Sequence, residues 1–274
     1  MIRFPNAKIN LGLNIVSRRP DGYHDIETVF YPIGLEDSLE IVPAGEDKLT
    51  SLSCYGNHVD CPMEKNLVTK AYHLLQHEFH IPEVEMHLFK HIPDGAGLGG
   101  GSSDAANALI ILNDMFHLGL SHHQLAERAA TLGADCAFFV YNKPMMATGI
   151  GNVFSTTDIN LSGYHLLLVK PDVSVPTAQA YAKVTPAPSQ MPILEILATP
   201  IEQWKHHLHN DFEVSVFAQH PLLQEIKDKI YAAGALYASM SGSGSSIFGI
   251  FSDANMTESA KQNFKGYRAY NIKL

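Results

Sequence analysis

A glycine-rich segment between a strand-like stretch and a helical one restricts the possible folds more than any other feature. The segment PDGAGLGGGSSDAANAL, residues 93–109, holds five glycines and two serines and then continues in a helical pattern. Glycine loses more backbone entropy on folding than other residues, so its concentration before a helix requires a use for bare backbone. The N–H groups at a helix N-terminus bind anions, and Ser102 and Ser103 stand where a helix cap is expected. The segment is therefore interpreted as a phosphate-binding loop, and its residues 93–103 are called the glycine loop below.

Several well-known phosphate motifs do not explain this loop. Residues 95–100, GAGLGG, satisfy the dinucleotide-binding pattern, but the next element is a second helix and not a strand that ends in an acidic residue. A P-loop requires a Gly-Lys pair, which the chain lacks, as it lacks the catalytic triplets of protein kinases and the G-x-S-x-G elbow of serine hydrolases. The loop is a phosphate cradle of another type, unless it is only a turn that allows close packing.

Composition excludes several classes of protein. The chain has 274 residues, of which 46% are hydrophobic, so it can form one large or two ordinary domains. A net charge of -9 argues against a nucleic-acid partner. The three cysteines are odd in number and lack paired ligand spacing, which disfavours a disulfide framework or a structural zinc site and fits a reducing cytoplasm. No export signal or membrane segment is recognisable, so we expect a cytoplasmic protein without a membrane partner.

Hydrophobic periodicity indicates an α+β fold with two domains. Residues 8–16, KINLGLNIV, alternate strictly, which predicts a half-buried strand with Lys8 and Asn10 on its polar face. Mixed strands and helices without regular alternation are typical of the α+β class, and the turn-rich residues 143–165 place a domain boundary near residue 154. The other predicted elements are helices at about 65–79, 192–208 and 221–233, two consecutive helices after the glycine loop, and strands at 84–92, 165–170 and 235–240.

Three segments resemble, in order and spacing, the motifs of the GHMP kinase superfamily. They are PNAKINLGL at the start, GLGGGSSDAANAL in the middle and MSGSGSSIF near the end. With DGYHDIETVF, NLVTKAYHLL and LGADCAFF, the likeness extends over essentially the whole chain. It is specifically to members that phosphorylate the 2-hydroxyl of a cytidine diphosphate sugar alcohol in isoprenoid biosynthesis. The resemblance implies a two-domain fold, with an ATP-binding N-terminal domain at 1–153 and a smaller C-terminal domain at 154–274.

The resemblance also implies a set of nucleotide-binding residues. ATP is the expected co-substrate and Mg²⁺ the expected metal, with the Ser103 hydroxyl as a candidate ligand. Asn66 and Lys90 match family positions near the adenine, although from the sequence alone both could be surface polar residues. The loop residues expected to wrap the phosphates are Pro93, Asp94, Gly95, Ala96, Gly97, Leu98, Gly99, Gly100, Gly101, Ser102 and Ser103.

For the acceptor substrate, the resemblance makes Asp135 the catalytic base and a contact of the substrate, with Lys8 as its cationic partner. From the sequence alone, Asp135 could equally be a helix cap and Lys8 a solvated charge on a strand. Asn10 is expected to help bind the substrate, and the aromatic pair Tyr23 and His24 to grip the cytosine. Tyr181 matches, more loosely, a second aromatic residue that closes on the base.

Two other functions stay open at this point. One is a GHMP kinase for homoserine, mevalonate or a sugar, which the aromatic pair in DGYH disfavours. The other is a ligand sensor that keeps the fold without catalysis, or a decarboxylase of the same superfamily. The presence of both Lys8 and Asp135 disfavours a sensor that has lost catalysis.

Overall fold

The computed structural model describes residues 1–58, 61–182 and 184–274, and the chain forms two compact units that interleave along the sequence. The expected α+β class is confirmed. The division into domains 1–153 and 154–274 stays a prediction. The first unit comprises residues 1–7, 35–94 and 99–143, and the second comprises residues 8–34, 95–98 and 144–274.

The first unit combines a four-stranded sheet with helices. The elements are β1 (Ile2–Arg3), β4 (Ser38–Pro43), β5 (Ser51–Gly56), α1 (Leu67–Phe79), β6 (Val84–Lys90), α2 (Gly100–Met115), α3 (His122–Leu132) and α4 (Cys136–Tyr141). The strand order is β1-β4-β6-β5, in which β5 is parallel to β6 and the other pairs are antiparallel. Leu39 pairs with Leu88 and Ile41 with Met86, and all four side chains are buried. One face of the sheet therefore contributes apolar side chains to the core of this unit.

The second unit combines two four-stranded sheets with helices. The elements are β2 (Asn6–Arg18), β3 (His24–Glu36), β7 (Met145–Thr148), β8 (Val153–Thr156), β9 (His165–Lys170), α5 (Thr177–Tyr181), α6 (Ile193–Leu197), α7 (Ile201–His207), α8 (Phe212–Gln219), α9 (Pro221–Ala232), β10 (Tyr237–Met240), β11 (Ile247–Phe251), α10 (Ala254–Lys261) and β12 (Arg268–Lys273). Strands β2 and β3 belong mainly to this unit. The strand orders are β2-β3-β7-β8 and β10-β11-β9-β12. Strand β9 is buried along five of its six residues, as a central strand covered on both faces would be.

Most of the predicted elements are present, including the helix before the glycine loop and the two consecutive helices after it. The single helix predicted over 192–208 is wrong, because two short helices, α6 and α7, are separated before Pro200. Proline removes a backbone N–H and disfavours helical geometry in the preceding residue, so it begins a new helix here. Among the described residues, no helix combines the length and hydrophobicity that crossing a bilayer requires.

Candidate active site

The glycine loop reverses direction through glycines in a conformation that other residues rarely adopt. Gly95, Gly97 and Gly99 have φ values of 58°, 74° and 72°, in the left-handed region. Helix α2 begins immediately afterwards at Gly100, so Ser102 lies within its first turn and not at the cap position predicted from the sequence. Gly99 occupies the cap without a side-chain hydrogen bond to the helix. The N-terminus of α2 is therefore bordered by bare backbone, as an anion site requires.

In the second unit, the first half of this loop is hydrogen-bonded to both other sequence motifs. The Ser241 hydroxyl donates to the Gly97 carbonyl at 2.8 Å, and the Ser246 N–H donates to the Ala96 carbonyl at 3.3 Å. The Lys8 N–H donates to the Leu98 carbonyl at 2.9 Å. The segment MSGSGSS and the start of β2 thus both contact residues 96–98, although they are far apart in sequence.

Gly97 also allows a close approach of two backbones. A Cβ atom added at this position would overlap the carbonyl oxygen of Ser241. Because a backbone atom cannot rotate away as a flexible side chain can, only glycine fits here.

The segment HNDFE, residues 209–213, organises the same region and was missed by the sequence analysis. The Asn210 amide donates to the carbonyls of Met240 and Gly242 at 2.8 and 2.9 Å, and its oxygen accepts from the Phe212 N–H at 3.0 Å. Asn210 is only 2% exposed, so it fixes the start of the MSGSGSS segment from inside the fold. In the sequence, this segment is marked by a polar Asn-Asp pair between two apolar helical stretches. Such a pair is also typical of an ordinary solvated turn, so it does not identify a functional segment.

Lys8 and Asn10 lie side by side on β2. The Lys8 ammonium donates to the Asn10 side-chain oxygen at 2.7 Å and lies 4.6 Å from the centroid of the Phe30 ring. Each of the two polar residues is only 3% exposed. The strand predicted over residues 8–16 is present, but the prediction that it is half-buried is wrong over residues 8–13, where both faces are buried. The alternative that Lys8 is a solvated charge is also wrong, whereas the predicted common orientation of Lys8 and Asn10 is confirmed.

The aromatic residues expected at the cytosine lie in the same unit. His24 and Tyr181 stack with ring centroids 4.6 Å apart and an interplanar angle of 15°. Phe212 supports Tyr181 edge-on at 4.7 Å. Tyr23 is 61% exposed at the end of the turn that precedes β3. The structure thus brings His24 and Tyr181 together, with the Tyr23 ring open to solvent beside them in sequence.

In the first unit, Asp135 lies in a turn before α4, and the Cys136 thiol that follows it forms a hydrogen bond with Ser102 in the first turn of α2. Asp135 is half-buried and occupies the N-cap position of α4, but its side chain makes no capping hydrogen bond to the helix. Burial raises the pKa of the Cys136 thiol to about 11, although a hydrogen bond with Ser102 opposes the rise. Cys136 is therefore a neutral structural thiol beside this turn.

Ser103 occupies a different position from its neighbour Ser102. It is fully buried, and among the described residues its hydroxyl has no hydrogen-bond partner. An orphaned buried oxygen in the first turn of a helix is unusual, because nearly all buried polar atoms are satisfied. The same atom is a hard oxygen donor of the kind that Mg²⁺ accepts.

Lys90, the last residue of β6, is buried in a cluster with two carboxylates. Its ammonium pairs with Asp37 and, at 2.6 Å, with Asp104, and all three side chains are at most 6% exposed. Asp37 also accepts hydrogen bonds from the N–H groups of His91 and Ile92 at 2.6 and 2.8 Å. The alternative that Lys90 is a surface residue is therefore wrong.

The charges of this cluster shift the pKa values of its members. Burial would lower the pKa of Lys90, but Asp104 and Asp37 outweigh that effect and raise it above its ordinary value. Burial raises the pKa of Asp104 to about 7, against the opposing attraction of Lys90. One ammonium thus faces two carboxyl groups, and burial favours the protonated form of Asp104.

Asn66, the other residue expected near the adenine, is the N-cap of α1. Its side-chain oxygen accepts a hydrogen bond from the Val68 N–H at 2.9 Å. This bond satisfies one of the unpaired N–H groups of the helix and orients the amide of Asn66.

The predicted site residues are divided between the two units. The second unit holds Lys8, Asn10, Tyr23, His24, Tyr181 and residues 95–98 of the loop, and the first holds Asn66, Lys90, Pro93, Asp94, residues 99–103 and Asp135. Lys8 and Asp135 therefore belong to different units.

Family models agree with the motifs. The model of the GHMP kinases N terminal domain matches residues 66–143, and the model of the GHMP kinases C terminal domain matches residues 195–266. Among solved structures, the crystal structure of a homoserine kinase from Cytophaga hutchinsonii shares the fold, with a TM-score of 0.69 at 16% identity over 98% of this chain and 95% of the other.

Comparisons with individual proteins identify the family more narrowly than the family models do. The chain is 57% identical to 4-diphosphocytidyl-2-C-methyl-D-erythritol kinase of Bacteroides thetaiotaomicron over 252 residues, which cover 92% of both chains. It is 49% identical to the protein of the same name from Porphyromonas gingivalis, over 95% of both. A crystal structure of 4-(cytidine 5'-diphospho)-2C-methyl-D-erythritol kinase superimposes with a TM-score of 0.85 at 31% identity, covering 99% of this chain and 98% of the other. The chain belongs to the 4-diphosphocytidyl-2-C-methyl-D-erythritol kinases, within the GHMP kinases.

Proposed function

We propose that the protein transfers the γ-phosphoryl group of ATP to the 2-hydroxyl of 4-diphosphocytidyl-2-C-methyl-D-erythritol, giving the 2-phosphate and ADP. The observation that carries the proposal is the likeness of nearly the whole chain to kinases of that name, at 49–57% identity over at least 92% of each chain. The resemblance places the reaction in the non-mevalonate route to isopentenyl diphosphate.

ATP is the co-substrate, and its phosphates bind to the backbone of the glycine loop and the N-terminus of α2. Two features support this assignment. Gly99 caps α2 without a side chain, and a Cβ atom at Gly101 in its first turn would meet nothing within 4 Å, so the space beside the helix start is open. The helix dipole and the unpaired N–H groups favour a negative charge there. Asn66 and Lys90 lie near the adenine in this proposal.

In the chemical step, the 2-hydroxyl oxygen attacks the γ-phosphorus while the bond between this phosphorus and the bridging oxygen of ADP breaks. Asp135 accepts the proton of the hydroxyl, and the Lys8 ammonium stabilises the negative charge on the transferred group. Cys136, the residue after Asp135, forms a hydrogen bond with Ser102 in the first turn of α2, which supports a role of Asp135 beside the phosphates. The assignment of Lys8 and Asp135 to one reaction rests on the family resemblance.

Recognition of the cytidyl group is assigned to aromatic rings. Tyr23, His24 and Tyr181 supply faces on which a pyrimidine can stack, and Asn10 supplies an amide for a polar group of the substrate. The exposed ring of Tyr23 and the contact of His24 with Tyr181 support this assignment.

Mg²⁺ is proposed as the metal that accompanies ATP. No cluster of three or more His, Cys, Asp or Glu side chains suited to a metal exists in the described part of the chain. This fits a cation bound mainly by phosphates and water, with the orphaned Ser103 oxygen as a protein ligand. When bound, Mg²⁺ would neutralise charge on the phosphates. Replacing Ser103 by alanine should raise the Mg²⁺ concentration that half-saturates activity and weaken ATP binding in the presence of Mg²⁺.

An assay of ADP release separates this proposal from the other functions. Purified protein with ATP and Mg²⁺ should release ADP with 4-diphosphocytidyl-2-C-methyl-D-erythritol and not with mevalonate, homoserine or a free sugar. The Asp135→Asn variant controls for a contaminating kinase. Turnover of only one of the other acceptors would refute the proposed substrate, and failure with every acceptor would favour a sensor. The expected cytoplasmic location stays a prediction.

A further inference from the structure

A series of buried hydrogen bonds connects Lys8 to Thr28, a residue of β3 within the segment DGYHDIETVF to which no role has been assigned. Lys8 donates to the Asn10 oxygen at 2.7 Å, and the Asn10 amide nitrogen donates to the Thr28 hydroxyl at 3.0 Å. The Thr28 hydroxyl donates to the Gly12 carbonyl at 2.5 Å. Thr28 is fully buried, and Lys8 and Asn10 are 3% exposed, so this series is enclosed by protein.

Only one direction of donation satisfies all members of the series. An ammonium has donors only and a carbonyl oxygen accepts only, so the two ends, Lys8 and Gly12, fix every bond between them. The Thr28 hydroxyl has a single hydrogen, and because it is given to Gly12, the hydroxyl must accept from Asn10. The NH₂ group of Asn10 then faces Thr28, and its oxygen faces Lys8.

The reversed amide of Asn10 would be unfavourable at both ends. It would point NH₂ at the Lys8 ammonium, which places donor against donor, and it would draw the Thr28 hydrogen away from the Gly12 carbonyl. In a buried site each unsatisfied polar group is unfavourable, and more so where a charge is involved. The hydroxyl of Thr28 thus determines which atom of Asn10 faces the lysine.

Gly12, which accepts the last hydrogen bond of the series, has a specific backbone conformation. Gly12 has a φ of 70°, and a Cβ atom there would lie 2.6 Å from Leu208 Cδ1. Gly12 therefore presents its carbonyl to Thr28 in a conformation that other residues rarely adopt. On β3, Phe30 is two residues after Thr28 and shares its face, and its ring lies 4.6 Å from the Lys8 ammonium. The lysine therefore contacts Asn10 on its own strand and Phe30 on β3, and Thr28 reaches it through Asn10.

We propose that Thr28 is a positioning residue for phosphoryl transfer, which acts by orienting the Asn10 amide so that its oxygen holds the Lys8 ammonium in place. The inference rests on the catalytic role proposed for Lys8. The competing explanation is that Thr28 only stabilises the β2–β3 pair. In that case its loss would lower stability without a specific effect on the rate of transfer.

The experiment compares variants that keep or remove the hydroxyl. Thr28→Val retains a branched side chain of similar size without hydrogen bonds, and Thr28→Ser retains the hydroxyl. We expect Thr28→Val to lower kcat roughly ten- to a hundredfold, as misplacement of a catalytic group does, and to leave the ATP Kd within about twofold because the phosphate loop is unchanged. Thr28→Ser should keep kcat within roughly threefold of the wild type. Unfolding midpoints, measured in parallel, define assay temperatures at which every variant is folded.

A double-mutant cycle with Lys8→Met tests whether the effect passes through the lysine. If it does, adding Thr28→Val to Lys8→Met causes no further loss of the residual rate. The proposal is overturned if the two substitutions lower the rate by independent factors that multiply in the double variant. It is also overturned if Thr28→Val and Thr28→Ser lower kcat equally. If Lys8→Met is inactive and Thr28→Val is fully active, the positioning role of Thr28 is refuted, but the catalytic role of Lys8 is not. If Lys8→Met keeps wild-type activity, the catalytic role of Lys8 fails, and the inference about Thr28 fails with it.

A second pair of variants covers the case in which Thr28→Val does not fold. Thr28→Ala and Thr28→Ser differ only by the hydroxyl oxygen, and both are smaller than threonine. A kcat for the serine variant roughly tenfold above that of the alanine variant supports the proposal, and equal kcat values overturn it.

Discussion

The imidazole of His24 and the phenol ring of Tyr181 are stacked in direct contact, 4.6 Å between centroids with planes 15° apart. Because stacked aromatic rings lie about 4.5 Å apart or more, a pyrimidine ring does not fit between these two. The proposed binding of the cytidyl group therefore requires the base to stack on an outer face or to separate the pair. We predict that the aromatic ring of Tyr181 contributes to this binding.

Replacing Tyr181 by leucine should weaken binding of the cytidyl substrate and leave binding of ATP unchanged. Loss of one base-stacking contact costs about 1 to 3 kcal/mol, which corresponds to a roughly five- to 150-fold rise in KM. Steady-state kinetics should show this rise for 4-diphosphocytidyl-2-C-methyl-D-erythritol and no change in the KM for ATP. Tyr181→Phe keeps the ring and is the matched control, with KM close to the wild-type value. A leucine variant with normal KM would remove Tyr181 from the substrate site.

Replacing Asp135 by asparagine should reduce kcat at least about a hundredfold, as expected for loss of a general base. ATP binding should be almost unchanged, because the variant keeps the size of the side chain and the loop glycines. Rapid-quench kinetics and equilibrium binding of ATP measure the two effects separately. The exposed Asp114, on α2 in the same unit, is the control, and Asp114→Asn should behave as the wild type. A turnover near normal for Asp135→Asn contradicts its role as the base.

Replacing Gly97 or Gly101 of the loop by alanine should change the free energy of unfolding in opposite directions. Gly97→Ala adds a Cβ atom onto the Ser241 carbonyl at a φ of 74°, so we expect a loss of several kcal/mol or failure to fold. Gly101→Ala adds a Cβ atom to a helical residue with nothing within 4 Å, and should raise the free energy of unfolding by up to about 1 kcal/mol.

The same Gly101→Ala variant tests the phosphate site. If phosphates approach the backbone of the first turn of α2, the added methyl group should raise the KM for ATP while the protein becomes no less stable. Denaturant unfolding and kinetics on one preparation measure both properties. An unchanged KM for ATP would place the phosphates away from Gly101.

Asp104 should make the stability of the protein depend on pH between about pH 4 and 7. Its pKa is raised from an ordinary value of 3.8 to about 7 in the folded state, so the folded protein holds a proton that the unfolded chain has released. The stabilising contribution is present at low pH and is lost as the pH rises through the folded pKa. Lys90 stays charged throughout this range because its pKa is raised.

Denaturant unfolding at several pH values checks this prediction by comparing the wild type with Asp104→Asn, which cannot titrate. The free energy of unfolding of the wild type relative to the variant should fall as the pH rises from 4 to 7. Other carboxyl groups cancel in this difference, and Asp114→Asn, with an exposed aspartate, should show no such trend. A difference that is constant with pH would mean that Asp104 is ionised in the folded protein throughout the range.

Local physical chemistry was sufficient to predict much of the fold from the sequence. The alternation of β2, the apolar spacing of α1 and the glycine-rich approach to α2 each depend on residues within a few positions of one another. The resemblance of three separate motifs to one family led from these elements to a kinase. Predictions failed where a local signal was ambiguous, as at Pro200, which divides the helix predicted over 192–208.

The tertiary structure decided which polar residues became buried and what they contact. Lys8 carries the pattern of a solvated face, yet Asn10 and Phe30 enclose it, and Lys90 pairs with Asp37, which is 53 positions away. His24 contacts Tyr181, which lies much farther along the chain, and Asn210 donates to the Met240 carbonyl, which is 30 positions away. A strand or helix follows from side-chain periodicity along one segment. Burial and hydrogen-bond partners arise only when segments distant in the chain pack together, so only the folded structure determines them.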